Sequence, residues 1–250
     1  MRKTRFIDAA GRVATGNWTA EGIETDTRSY DPTEVEILPP TEPTKVIGVG
    51  PNYESNVLEK DDESPRTPGD LLLFVKPPNT LVGHGGVSTF EGEGEYCFEL
   101  ELGVVIGEQC RNVSRDEAMD VIAGFTCLNE ITDLSPPESR YDPANLVRAK
   151  AIDDATPIGP VLAKPEDVPD DATMELRVDG EVKQRTNRSN CVFSEAAVIE
   201  EITSYLTLEP GDVIATGSAT GVAQLSDGDW VEIEIEGIGT LEHAVRIDRG

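Results

Sequence analysis

The stretch Glu95 to Gly107, EYCFELELGVVIG, constrains the fold more than any other part of the chain. Its even positions Tyr96, Phe98, Leu100, Leu102, Val104 and Ile106 form one wholly apolar face of a long strand. The odd face opens with Glu99 and Glu101 but continues through Gly103 and Val105, so both faces need cover toward the C-terminal end. A strand of this kind belongs inside a layered structure.

The neighbouring patterns predict more strands. KVIGVG and LLLFV (Leu71 to Val75) are short apolar runs of buried-strand type, and Lys76-Pro77-Pro78 ends the second. MELRVDGEVKQ predicts a hairpin turning on Asp179-Gly180, and GDVIATG, DWVEIEIEG and LEHAVRI predict the closing strands. Two helices are expected. One follows a Ser114/Glu117 capping box and stops at Gly124; the other, SEAAVIEEITSYL, starts on Ser194. Strands outnumber helices and no βαβ alternation is visible, so the expected class is α+β and β-rich. PPTEP, Pro39 to Pro43, is a stiff break, which divides the chain into a small N-terminal subdomain, 1–43, and a main domain, 44–250.

The chain of 250 residues carries 48 acidic against 21 basic side chains, a formal charge of -27, spread along its whole length. That balance argues against nucleic acid and anionic membrane as partners, and self-repulsion of this size favours a salt-rich, halophilic setting in which charges are screened within a few ångströms. A melting temperature that rises from dilute buffer to molar KCl is the expected sign; one that stays flat removes the halophilic reading. Cys97, Cys110, Cys127 and Cys191 form no C-x-x-C pair and read as reduced thiols. No apolar run reaches 18 residues and the N-terminus lacks a signal-peptide core, so the expected setting is cytoplasmic.

Two stretches alternate acidic and apolar residues, and they differ. In VEIEIE, Glu232, Glu234 and Glu236 share a face with no apolar neighbour, the ordinary solvated side of a strand. Glu99 and Glu101 instead enter a covered face, where two carboxylates repel and desolvate each other unless protonated, paired or bound to a cation. At i and i+2 their Cβ atoms stand roughly 7 Å apart, a span that oxygens on one divalent ion at roughly 2.0–2.6 Å can close. Glu130, directly after the short apolar strand in AGFTCLNEITD, is placed to project from a strand end as a third ligand; a surface acid is the plainer local reading.

KVIGVGPNYESNVLE, LLLFVKPPNTLVGHGG, FELELGVVIG, AGFTCLNEIT, RAKAIDDATPIGP, VDGEVKQ, LEPGDVIATGSATGV and VEIEIEGIGTLEHAV occur in this order. Over roughly residues 45 to 247 the chain resembles the fumarylacetoacetate hydrolase (FAH) family, whose members include acylpyruvate hydrolases and 2-hydroxyhepta-2,4-diene-1,7-dioate isomerases. The resemblance implies a mixed β-sandwich roll, a homodimer, and Mg²⁺ or Mn²⁺ held by Glu99, Glu101 and Glu130, the last standing where the family commonly has Asp. It implies small 2-oxo acid substrates, with hydrolysis, decarboxylation, tautomerisation, isomerisation or dehydration of 2-keto-3-deoxy sugar acids passing through an enolate stabilised beside the ion. Lys150 matches the family's active-site lysine. Tyr53, Lys76, Gln184, Thr216, Gly217 and Ser218 match substrate-side positions, Ser218 in place of the usual Thr.

Two departures bear on the reaction. Hydrolytic members carry N-Y-x-x-H-x-x-E on a lid whose His and Glu activate water; here the matching residues are Asn56 and Glu59. Asn positions a water but takes no proton near neutral pH, a loss of typically 10²- to 10⁴-fold for that step, which leaves Glu59 to serve alone. His84, in a Gly-rich loop, is a weak replacement. The substrate Arg expected four residues after the third acid is Leu134, with Arg140 and Arg148 as substitutes from the same loop. These departures shift the expectation from hydrolysis toward isomerisation, tautomerisation, decarboxylation or dehydration; the competing class is a non-catalytic relative that keeps fold and metal.

Overall fold

The computed structural model describes residues 2–55, 67–135 and 146–250. The chain starts with β1 (Arg2–Ile7), β2 (Val13–Thr19), β3 (Gly22–Glu24), β4 (Ser29–Tyr30) and β5 (Glu36–Leu38). The central stretch supplies β6 (Val46–Gly50), β7 (Leu72–Lys76), β8 (Leu81–Val82), β9 (Val87–Glu91), β10 (Tyr96–Cys97), β11 (Leu100–Ile106), β12 (Ile122–Asn129), β13 (Thr132–Asp133) and β14 (Thr156–Ala163). The chain closes with β15 (Thr173–Val178), β16 (Glu181–Asn187), β17 (Val213–Ala215), β18 (Trp230–Ile235) and β19 (Gly239–Asp248). Among the described residues the α-helices are α1 (Leu146–Lys150) and α2 (Glu195–Tyr205), neither long and apolar enough to cross a membrane.

Twelve strands form one sheet, ordered β4-β3-β2-β1-β14-β12-β11-β17-β6-β7, with β5 on β1 and β8 on β14. A second, five-stranded sheet runs β16-β15-β18-β19-β9. Both are mixed: β17–β6, β14–β8 and β19–β9 pair in parallel and the other pairs are antiparallel. The main core draws on both sheets, with Leu102, Val104, Phe125 and Cys127 from the first and Leu176, Ile233 and Leu241 from the second. The strand patterns predicted the β-rich class, and the resemblance implied the mixed β-sandwich seen here. The N-terminal strands hold a small apolar cluster of their own, Phe6, Ile23 and Ile37, while β1 continues the large sheet by pairing with β14. Asp212, fully buried, ties the segment before β6 to the sheet by accepting from the Thr44 amide at 2.9 Å, the Thr44 hydroxyl at 2.7 Å and Lys45 Nζ.

Several sequence expectations hold. Every residue of β11 is buried, as a strand covered on both faces must be. The hairpin turns at Asp179 and Gly180, both at positive φ (51° and 77°), as a type I′ turn requires. Ser194 caps α2, its hydroxyl accepting from the Ala197 amide at 3.4 Å. Glu234 and Glu236 are solvent-exposed and Glu232 half-buried, and all four cysteines are reduced thiols.

Two expectations are corrected. Residues 115–121 form successive turns, not a helix. The Ser114–Glu117 pairing does form, Ser114 Oγ donating to the Glu117 carboxylate at 2.6 Å, but the backbone bonds run i to i+3. Ile122 then pairs with Ile106 in the sheet and Gly124 lies inside β12, so strand pairing captures the residues a helix would need. The strand expected from Tyr96 to Ile106 is also broken. β10 pairs with β13 apart from the large sheet, and β11 starts only at Leu100. The break falls on Phe98–Glu99.

Candidate active site

That break sets the site. Leu100 N–H donates to Gln184 Oε1 at 2.8 Å and Glu99 N–H to Asn129 Oδ1 at 3.0 Å, so two side-chain amides satisfy backbone donors where the strand is interrupted. Glu99 therefore leaves the strand line while Glu101 stays in β11. Glu130 follows the last residue of β12, its N–H bonded to the Glu99 carbonyl at 2.9 Å. Each of Glu99, Glu101 and Glu130 offers a carboxylate oxygen lying within 4.8 Å of the other two. Glu130 is fully buried, Glu101 nearly so, and the Glu99 side chain is 21% exposed, which opens the cluster on one side.

Two lysines meet the cluster. Lys76, fully buried at the end of β7, donates to Glu130 Oε1, to the Ile131 carbonyl at 3.0 Å and to the Ala155 carbonyl at 3.1 Å. Its sequence context allowed a loop lysine as readily; the fold makes it a buried counter-ion. Lys150, at the end of α1, donates to Glu130 Oε2, to Glu99 Oε2 at 3.0 Å and to Thr132 Oγ1 at 2.5 Å, with its Nζ 4.7 Å from the centre of the Phe74 ring. The Thr132 hydroxyl lies 2.9 Å from Glu130 Oε2.

The electrostatics divide the three acids. Burial pushes the Glu130 carboxyl up, but the ammonium groups of Lys150 and Lys76 outweigh it and bring it down to about 2. Glu101 is driven well above the usual carboxylate range by burial, then by Glu130 and Glu99. Its protein donor among the described residues is the Gly217 amide, at 2.8 Å from Oε2. Glu99 is raised by burial despite Lys150. A pair of desolvated, mutually repelling carboxylates beside a third that stays ionised is a hard-oxygen donor set short of positive charge, and it fits a divalent cation of the Mg²⁺ or Mn²⁺ kind.

The loop after β17 borders Glu101. Thr216 N and Oγ1 both donate to the Leu102 carbonyl at 3.1 Å, holding the loop to β11. Gly217 has φ +97° and any Cβ there would stand 3.0 Å from the Val49 carbonyl oxygen, so only glycine brings this amide to Glu101. Gln184 Nε2 donates to Ser218 Oγ at 3.0 Å and to the Ala219 carbonyl at 2.9 Å. With its Oε1 on Leu100, Gln184 is committed to the protein at both ends. Tyr53 is fully buried, its hydroxyl 3.5 Å from Met174 Sδ.

The remaining candidates lie elsewhere. His84 Nδ1 accepts from the Glu242 amide at 3.1 Å and its ring meets Trp18 edge-on, with no bond to the carboxylates among the described residues. It is not placed as a replacement base. Arg148 is exposed on α1. Asn56, Glu59 and Arg140 lie outside the described residues. Sequence reasoning passed over Thr132, Asn129 and His243. Thr132, two residues after Glu130, carried a faint signal; His243 reads only as a residue of a closing strand.

Comparisons with known proteins show the family. Residues 45–246 match the family described as fumarylacetoacetate (FAA) hydrolase C-terminal. A protein of Archaeoglobus fulgidus is 39% identical over 251 residues, covering 98% of this chain and 96% of that one. The 4-hydroxyphenylacetate degradation bifunctional isomerase/decarboxylase of Escherichia coli is 37% identical over 203 residues, 80% of this chain and 46% of its own length. Among solved structures, the 5-carboxymethyl-2-hydroxymuconate delta-isomerase of Mycobacterium smegmatis superposes with a TM-score of 0.86 at 31% identity, with 99% of each chain covered.

Proposed function

The chain belongs to the fumarylacetoacetate hydrolase family of enzymes, and from that premise we propose that it rearranges a small 2-oxo acid or its enol, by isomerisation, tautomerisation or decarboxylation, at the Glu99–Glu101–Glu130 cluster. The observation that carries this reading is the convergence of three carboxylates within 4.8 Å beside the Lys150 ammonium. These oxygens would hold Mg²⁺ or Mn²⁺, which when bound would supply Lewis acidity to a 2-oxo acid.

The protein's own groups do the rest. Burial works against the Lys150 ammonium, but Glu130 and Glu99 outweigh it and raise its pKa, so Lys150 keeps its proton near neutral pH. Its ammonium is placed as a positive charge toward a substrate carboxylate or a developing enolate oxygen. Lys76 stands behind Glu130 and keeps that carboxylate ionised. The Thr216–Ser218 loop borders the cluster at Glu101, and the Ser218 hydroxyl retains the hydrogen-bonding chemistry of a threonine. The Escherichia coli and Mycobacterium smegmatis relatives, an isomerase/decarboxylase and an isomerase, support the rearrangement reading.

The test is turnover at high salt with Mg²⁺ on hydroxymuconate-type diacids, oxaloacetate, acylpyruvates and 2-keto-3-deoxy sugar acids. Diacid or oxaloacetate turnover is expected to exceed acylpyruvate hydrolysis at least about tenfold, in line with the loss of a water-activating base. Turnover confined to acylpyruvates rejects rearrangement in favour of hydrolysis.

A further inference from the structure

His243 and Asn129 form a fully buried polar pair that the chemistry above does not use. They sit on β19 and β12, strands of the two different sheets, so their contact crosses the sandwich. Asn129 Nδ2 lies 2.9 Å from His243 Nε2, and Asn129 Oδ1 accepts from the Glu99 amide at 3.0 Å. On its other side His243 Nδ1 faces the Ala244 carbonyl at 3.3 Å and the Ser88 hydroxyl at 3.5 Å.

The hydrogen-bond demands fix both side chains. The Glu99 amide needs an acceptor, so the Asn129 oxygen must face it, which turns the Asn129 NH₂ toward His243. An NH₂ donor requires a bare ring nitrogen, so Nε2 is unprotonated and the ring proton sits on Nδ1, where the Ala244 carbonyl accepts it. Burial supports the neutral ring by pushing His243 down to about 4.

We propose that His243 and Asn129 are positioning residues: the imidazole locks the orientation of the Asn129 amide, and that amide holds Glu99 at the strand break where its carboxylate joins Glu101 and Glu130. The cation role of the cluster rests on the functional reading above; the positioning of the Glu99 backbone does not. Buried polar groups behind a metal site orient its ligands, and their loss typically costs 10- to 100-fold in metal affinity.

Three measurements on the full-length chain test it. With only two histidines, His84 and His243, long-range ¹H–¹⁵N spectra at pH 7 separate the rings. The expected result is opposite tautomers, the proton on Nδ1 of His243 and on Nε2 of His84, whose Nδ1 accepts from a backbone amide. A proton on Nε2 of His243 overturns the proposal without any variant. His243→Leu is expected to speed hydrogen exchange at the Glu99 amide and weaken Mn²⁺ binding, each about tenfold or more, while His243→Gln, which restores an acceptor, recovers both to within about threefold of wild type. Wild-type exchange in His243→Leu, or equal losses in the Leu and Gln variants, overturns it by reducing His243 to packing. Failure of the wild-type chain to bind Mn²⁺ counts against the cation reading, and the tautomer and exchange results then decide the positioning claim alone.

Discussion

Lys76→Met is expected to destabilise the chain by about 3–5 kcal/mol, because it removes one partner of a buried ion pair and leaves the other charge in place. The Lys76 ammonium is fully buried and serves Glu130 Oε1 and two backbone carbonyls. Methionine fills the volume but leaves those acceptors with one fewer donor, and Glu130 is left to Lys150 and Thr132. For a chain of this size, a loss of that magnitude lowers the melting temperature by roughly 10 °C. Lys76→Met/Glu130→Leu, which removes both charges but also one carboxylate partner of Lys150, is expected to recover part of the loss. Thermal melts in the presence of EDTA check both variants. An unchanged melting temperature for Lys76→Met shows that the pair does not carry the stability assigned to it.

Glu101→Ala is expected to act in the opposite direction on the metal-free chain. Glu101 is raised by burial and by its neighbours Glu130 and Glu99, so the metal-free protein gains little from it as an anion. Removal is expected to leave the EDTA-treated melting temperature unchanged or higher. The cost falls on cation binding. Saturation with Mg²⁺ at about 100 times its dissociation constant stabilises a binding-competent chain by about 2.7 kcal/mol, and that increment is expected to vanish in Glu101→Ala together with turnover. A variant that still gains thermal stability from Mg²⁺ and from oxalate, an enolate mimic, removes Glu101 from the ligand set.

The strand-rich class was legible because the strands carry their burial in the sequence: β11 is apolar on one face and, beyond Glu101, needs cover on the other, and the β15–β16 hairpin turns on residues suited to positive φ. Glu99 and Glu101 were legible for the same reason, since their alternation runs into a covered face while that of Glu232 to Glu236 does not. The route by which they converge was not. A regular strand sets Glu99 two residues before Glu101 on one face, whereas the chain breaks at Phe98–Glu99 and hands two backbone donors to Asn129 and Gln184. Those partners lie 30 and 84 residues away in sequence, and no local pattern marks them. Lys76 was ambiguous for a related reason: a lysine between a strand and two prolines reads equally as a loop residue, and only the reach of its ammonium to Glu130, just after β12, makes it a counter-ion. The helix expected after Ser114 failed because Ile122 is worth more paired with Ile106 in the large sheet than in a helix whose apolar stripe is two turns long.

Proton exchange at C3 of a 2-oxo acid without a leaving group, such as 2-oxobutanoate in D₂O, tests the central claim most directly, because an enolate lies on the path of isomerisation, tautomerisation and decarboxylation alike. With Glu59, the lid acid that matches the family pattern, as the candidate to take the C3 proton, the expected result is Mg²⁺-dependent deuterium incorporation at least about 100-fold faster than with Mg²⁺ in buffer, at the lower end of what a positioned acid–base group contributes, and its loss in Glu101→Ala. Incorporation by the folded wild-type chain no faster than with Mg²⁺ in buffer would contradict an enolate chemistry at the Glu99–Glu101–Glu130 cluster.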